Sequence, residues 1–535
     1  MKMYKKKING ALFLFGLGFC CAAYAVDEAA PETTPAPIAS EPLPLSALPE
    51  APSAPQPLSP PVEKAVEPGV VRVPYVPEIV KQQIRDQVRS ELRADVVQDV
   101  LTHAKEQRWG VPGVLPDWIE RIKLKGDFRV RAQGDFYDRD NGAFDYFDFL
   151  GANRAGGFGK MKEPFLNTVE ERHRLRERVR IALDATPAND LKVTVQISSG
   201  NTSDPVSTNQ TLGNTGGRYQ VVFDQTYIKY DDQNADNYPW LTLWAGRLPN
   251  PWLSTDLIWD ADLAFEGFAG TYRYNMRGSS DLLDMNQRDR TLFFTAGAFP
   301  IQEIALSSQD KWLFGAQLGT EFIFTSQSVL KVALGYYDFV NIVGQLNDPD
   351  DDALDYTAPD FMQKGNTLFD IRNDLDEATD RWAIASDYNL LDFALSYDWA
   401  NFAPYHVVLA LNYVKNIGYN ASEIQRRTAD AAINPIDEKN IGYQLQLTMG
   451  WPLVLERGKW RTSFAYKYLQ RDAVLDAFTD SDFHLGGTDA KGWIVGGEYA
   501  LTDNTWLNVR YLTADAIDGP PLGIDILQID VNTKF

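Results

Sequence analysis

The 535-residue sequence predicts an all-β fold, a transmembrane antiparallel β-barrel of about 16 strands preceded by an amino-terminal periplasmic helix. Three observations predict it: segments that alternate apolar and polar residues with period two, connections that alternate between short and long, and a last segment ending in an aromatic residue. In that segment Leu527, Ile529, Val531 and Phe535 alternate with Gln528, Asp530, Asn532 and Lys534. Strand side chains point to opposite faces, so one face meets lipid and the other a wet interior. Phe535 then sits at an interface belt as a membrane-insertion terminus.

At the other end, Lys2, Lys5, Lys6 and Lys7 precede an apolar run over 11–20 and the small-residue pattern Ala23, Tyr24, Ala25, which reads as a signal peptide over 1–25. The run is too short for a helical span, which needs about 20 apolar residues. Cleavage after Ala25 removes Cys20 and Cys21, and with them disulfides, thiolate metal sites and cysteine nucleophiles. It also removes four lysines from a chain whose net charge is already -22, which argues against nucleic acid as a partner. The four histidines, His103, His173, His406 and His484, are too few for a histidine-rich metal site, so no cofactor is expected. Residues 26–77 form a proline-rich spacer, with 14 of the 30 prolines between Pro31 and Pro77. Over 78–109, Ile84, Val88, Leu92, Val96, Val100 and Leu101 recur at near-helical spacing, predicting an amphipathic helix. A trimerising coiled coil and a helix lying against the barrel mouth are its two readings.

The barrel is expected over 118–535. Ile122, Leu124, Phe128, Val130 and Ala132 alternate with charged residues, as do Leu175, Val179, Ile181 and Leu183, then Leu191, Val193, Val195 and Ile197. Twelve further strands fall near 220–231, 240–246, 263–274, 291–299, 312–324, 329–339, 391–401, 406–416, 441–450, 458–468, 491–500 and 505–512. Connections at 186–190, 232–239, 325–328, 402–405, 451–457 and 501–504 are short, whereas 137–173, 199–219, 340–390, 417–440 and 469–490 are long. That alternation is what a barrel with both termini on the short-turn side requires. The link 275–290 is long where a turn is expected, so 14 and 18 strands stay open. Trp240, Trp312, Trp382, Trp451, Trp460, Trp493 and Trp506 fall near strand ends, where interface belts lie.

The segments DQTYIKY (224–230), AGRLPNPW (245–252) and NFAPYHVVLALNYVKNIGYN (401–420) resemble the putative porin family of Gram-negative outer membranes. The resemblance covers 118–535 and leaves the proline-rich segment outside. It implies a water-filled diffusion channel, commonly sixteen-stranded, with a homotrimer as one assembly and outer-membrane lipid and lipopolysaccharide as surroundings.

If the apolar partners of the alternation face lipid, Arg129, Arg131, Arg174, Arg176, Arg178 and Arg180 turn inward as a basic wall that favours anions among small hydrophilic solutes and ions. The other reading pairs them with Asp127, Glu177 and further interior acids. The third long-side connection, 247–262, carries Asp256, Asp260 and Asp262 with Trp252, Leu257 and Trp259. By resemblance to general porins it folds inward as a constriction facing the basic wall; otherwise it packs outside as a lid or trimer latch. Asp348 to Asp355 with Asp360 reads as a solvated charge run, its spacing matching no calcium loop. The expectation is a passive channel without catalytic residues. Competing classes are an outer-membrane hydrolase, which lacks a recognisable histidine constellation here, and a structural or adhesion barrel without a pore.

Overall fold

The computed structural model describes residues 121–233, 238–276, 290–305, 307–324, 328–372, 374, 376, 378–428 and 437–535. The expected leader, spacer and amphipathic helix lie outside them. Among the described residues the wall is built from β1 (Ile122–Tyr137), β2 (Arg172–Ala188), β3 (Leu191–Ser199), β4 (Val221–Gln233), β5 (Pro239–Pro249), β6 (Ala264–Asn275), β7 (Arg290–Gln302) and β8 (Lys311–Ile323). It continues through β9 (Val329–Val340), β10 (Asn389–Phe402), β11 (Tyr405–Asn416), β12 (Ile441–Gly450), β13 (Trp460–Leu469), β14 (Ala490–Thr502), β15 (Thr505–Ala516) and β16 (Gly523–Lys534). Each pairs antiparallel with its sequence neighbours, and β1 pairs with both β2 and β16, closing a sixteen-stranded barrel.

The period-two pattern settles which face is which. Phe128, Val130 and Ala132 stand beside Val179, Glu177 and Leu175 in register, and Arg129 and Arg131 stand beside Arg178 and Arg176. The apolar set is the exposed one, with Leu175 57% and Val130 38% exposed, whereas Arg131 is buried. Glu177 therefore shares the outer face with Val130 and is not an interior partner of the arginines. With the exception of 276–289, the connections at the end where β1 begins and β16 finishes are short, and the longest connections lie at the other end. On either side of the link 276–289, β6 and β7 pair directly from Phe268 and Ala298 down to Asn275 and Thr291 and are neighbours in the wall. The carboxy-terminal seam is sealed twice: Phe535 and Gly126 exchange backbone bonds of 3.1 Å, and the Phe535 ring covers the space where a Gly126 side chain would stand. Trp312, Trp460 and Trp493 lie on the outer face, as belt residues should. Trp506 instead turns to the inner rim under the Lys534 ammonium, and Trp382 packs 4.8 Å from Phe149 in the long loops.

One hairpin departs from the wall. The β4–β5 ladder stops at Thr226 and Arg247, and the β6–β7 ladder stops at Phe268 and Ala298, while β5 and β6 stay paired up to Pro249 and Ala264. At the level where both outer ladders end, Gly246 and Gly267 face each other with φ of 117° and 131°. Only glycine adopts such values without strain, and a Cβ at either position would strike the Thr226 or Ala298 carbonyl oxygen. The hairpin top leaves both neighbours here and carries the connection 250–263 into the barrel interior. Gly267→Ala should cost about 1–3 kcal/mol in strain alone and more through the collision, reducing the fraction of compact, heat-modifiable barrel on unheated gels. Gly497→Ala, on β14 with nothing near its Cβ position, should leave that fraction unchanged.

Candidate functional site: the barrel interior

Residues 250–263 cross the interior and bind strands on opposite sides of the ring. Leu253 exchanges two 2.9 Å bonds with Gln317 on β8, and the Thr255 amide donates to the Asn412 side-chain oxygen at 3.0 Å on β11. Asp256 accepts from Gln444 at 2.6 Å on β12 and lies 3.3 Å from the Lys467 ammonium on β13. At its far end Asp262 accepts from Arg178 and Arg180 on β2, at 3.2 and 3.3 Å. Between these anchors Trp252, Leu257, Ile258 and Trp259 pack on the inner apolar wall, with Trp259 5.3 Å from Tyr337 and 5.1 Å from Phe265. Burying each large apolar side chain stabilises the strap by about 1.5–3 kcal/mol. Asp262 touches the basic wall and does not stand across a water gap from it.

The six arginines divide into two groups. Arg131, 1% exposed, meets Asp530 at 2.8 Å and Asp482 at 2.9 Å; Arg174 meets Asp135 at 2.6 Å; Arg178 and Arg180 share Asp127 as well as Asp262. Arg129 bonds the side-chain oxygen of Asn209, and Arg176 bonds Gln133 and Ser207 at 3.3 and 3.4 Å. Neither of these two has a carboxylate within 4 Å among the described residues. Arg174 and Arg176 line a cavity of about 650 Å³ together with Gln133, Asp204 and Ser207.

A second interior loop, 470–489, completes the arrangement. Asp482 binds Arg131, Arg510 of β15 at 3.0 Å and Gln528 of β16 at 2.9 Å, while Asp480 binds Lys467 at 3.0 Å. Burial pushes the Asp482 carboxyl up, but the Arg131 and Arg510 guanidiniums outweigh it and hold the group below the usual carboxylate range. Asp262 behaves alike, with Arg178 and Arg180 overcoming burial. Asp260 joins the two loops, accepting the Ser481 amide at 2.8 Å while its own amide donates to the Phe478 carbonyl at 2.8 Å. Here burial, then the neighbouring Asp480 and Asp262 carboxylates, push the acid up to about 8.

Lys467, Arg510, Asp480 and Asp482 were not singled out from the sequence. For two of them a signal existed, since Lys467 and Arg510 are lone charges in inward register within apolar alternations (Tyr466, Tyr468; Val509, Tyr511). The run 348–355 is more than a solvated face, because Arg372, largely buried, binds Asp352 at 2.9 Å and Asp355 at 2.8 Å. Asp370, Asp374 and Asp380 bring ligand atoms within 4.8 Å of one another, but Asp370 already accepts the Arg372 and Arg381 amides and Asp374 the Thr379 hydroxyl. His406 lies on β11 at the short-turn end, its ring 2.7 Å from Asp398.

A closed sixteen-stranded barrel with a lipid-compatible exterior, a charged interior and a loop strapped through it is a membrane channel of the porin class. A family model described as putative porin matches residues 23–535, and the chain belongs to that family. It is an outer-membrane porin, and its long loops are therefore extracellular. The match includes the proline-rich segment, which the motif resemblance had left outside. Among solved structures, the chain resembles Pseudomonas putida OprB at high pH with 12% identity, 78% of this chain and 95% of that one covered, and a TM-score of 0.43. It also resembles the outer membrane channel DcaP of Acinetobacter baumannii (12%, 77% and 97%, 0.37) and the anion-selective porin from Comamonas acidovorans (9%, 77% and 99%, 0.39). No curated protein matches the sequence.

The raised Asp260 acid gives the interior a pH dependence. A folded-state value above the unfolded one means its contribution is fully present below the unfolded value and lost as pH rises through about 8. Open-channel current noise should grow between about pH 6 and pH 9 as the two loops loosen. Asp260→Asn, neutral throughout, should flatten the profile.

Proposed function

We propose that this porin passes small hydrophilic solutes and ions passively, with a preference for anions set at Arg129 and Arg176. The observation that carries the reading is the partition of the interior charges. Four of the six wall arginines are neutralised by Asp127, Asp135, Asp262, Asp482 and Asp530, whereas Arg129 and Arg176 meet only neutral side chains among the described residues. Fixed charge at close quarters sets ion selectivity, and an unneutralised guanidinium attracts anions. The strap 250–263 serves as the constriction, and Asp256, Asp260 and Asp262 serve mainly to anchor it. Covalent chemistry has no part in this reading, whose interior groups hold loops and attract ions. Family membership also supports a homotrimer in outer-membrane lipid beside lipopolysaccharide, with no nucleic-acid partner.

Single-channel recording in planar bilayers under a potassium chloride gradient tests this directly. Wild-type protein should show discrete steps with an anion-preferring reversal potential, and Arg129→Gln with Arg176→Gln should move that potential toward zero. Arg178→Gln, which removes one partner of a neutralised cluster, should shift it less. An unchanged potential in the double variant would remove the selectivity assignment, and a folded barrel without conductance would remove the channel.

A further inference from the structure

The bend of the β5–β6 hairpin leaves the wall incomplete at its extracellular end. Above Thr226 the edge of β4 that faces β5 has no ladder, and above Ala298 the edge of β7 that faces β6 has none either. Arg247 spans part of the gap, donating to the Asp224 carbonyl at 2.7 Å. Pro300 lies in the open stretch of β7, where its missing N–H leaves one donor fewer to satisfy. Trp312 stands beside it in register on the outer face, stacked on Phe314, so the opening lies at the level of the outer aromatic belt.

A cavity of about 900 Å³ fills this place. It is lined by Phe223, which shares the outer face with Ile197 and is 70% exposed, and by Phe299 and Leu313, which belong to the buried interior cluster. Residues of one strand alternate between faces, so a cavity that reaches both faces passes through the wall. Its volume is within the ordinary range for pockets that take drug-sized ligands, about 300–1,000 Å³. Its lining is mostly apolar by area and holds one buried cation, Lys311, 1% exposed, together with the buried acids Asp224, bonded to Gln196, and Asp476. The Lys311 ammonium reaches only the Thr357 and Ala358 carbonyls, at 3.4 and 3.3 Å, and has no carboxylate within 4 Å among the described residues. Asp360, the acid nearest in influence, is bonded to the Gln302 amide at 2.9 Å.

We propose that this cavity is a lateral binding site for an amphipathic monocarboxylate that enters from the outer leaflet. The apolar chain lies among Phe265, Phe299 and Leu313, and the carboxylate is turned toward Lys311. Open backbone edges at membrane depth are tolerated where they are buried in protein or line a water-filled cavity, so water beside the ligand satisfies them. The cavity adjoins the one that Arg176 lines, sharing Asp204 and Ser207 with it, but its carboxylate partner is Lys311 and not a wall arginine, so its failure leaves the channel reading intact.

Full-length protein in lipid nanodiscs, titrated with dodecanoate and with dodecanol, tests the proposal. Wild type should bind dodecanoate saturably at one site per chain. Lys311→Met should weaken dodecanoate by about tenfold or more, as expected for loss of a charge-assisted bond, and leave dodecanol within about twofold. Phe223→Asp, on the exposed outer rim and independent of interior folding, should weaken both ligands without changing single-channel conductance. Absence of saturable binding in wild type, or dodecanoate affinity unchanged from wild type in both variants, overturns the site. Loss of the oligomer in Phe223→Asp by native mass spectrometry, without dodecanoate binding in wild type, assigns the mouth to a second copy of the chain and likewise overturns it.

Discussion

Closure of the ladder between β1 and β16 is the constraint on which the remaining structure depends. In hydrocarbon an unpaired strand edge has no water to satisfy its amides and carbonyls, so the wall must return to its starting strand. Eleven consecutive positions of β1 do so, from Asp127 opposite Lys534 to Tyr137 opposite Ile524. Closure fixes the register, the register fixes which residues face inward, and the inward set places Arg129 and Arg131 beside Arg176 and Arg178. The Phe535 ring over Gly126 belongs to the same seam, where a larger residue at position 126 would displace it.

A cluster of inward guanidiniums is costly unless it is compensated, and the interior loops supply the compensation. Asp262 comes from the strap, Asp482 from the loop 470–489, and Asp127, Asp135 and Asp530 from the wall itself. The apolar half of the interior works by a different force, since Trp252 and Trp259 bury their rings against Tyr337 and Phe265. One end of the strap is thus held by charge and its middle by packing. The hairpin bend at Gly246 and Gly267 makes both anchors reachable and opens the wall in doing so. The strap and the lateral cavity therefore have one structural cause.

Much of this was legible in the sequence because a membrane barrel writes its fold in a two-residue period. The alternations at 122–132, 174–183 and 527–535 predicted strands and their lipid faces, and the parity of connections predicted an even strand number, with 14 and 18 open beside 16. The arginine-rich stretch near Arg176 has helical propensity, yet in a closed sheet the alternation prevailed. The alternative reading that paired the arginines with Asp127 and Glu177 holds for Asp127 and fails for Glu177, whose odd-numbered face is shared with Leu175 and Val179. Legibility ended where contacts depend on loops. Arg131 meets Asp482 and Asp530, 351 and 399 residues away, and no local pattern encodes such a meeting. The wall opening was equally silent, because it follows from where two ladders stop and not from any residue type. The glycines that cause it, Gly246 in AGRLPNPW and Gly267 beyond it, carried a hint that gained meaning only with their φ angles.

The central claim is that residues 250–263 are held across the open channel as a permanent strap. The most direct test places cysteines at Thr255 and Asn412, whose groups lie 3.0 Å apart, in a chain whose two native cysteines are confined to positions 20 and 21. Single-channel conductance is then compared before and after oxidation. The account predicts that the disulfide forms readily and that conductance is unchanged, because the loop already occupies that position. Failure of the pair to cross-link in folded protein, or a collapse of conductance once it does, would contradict it.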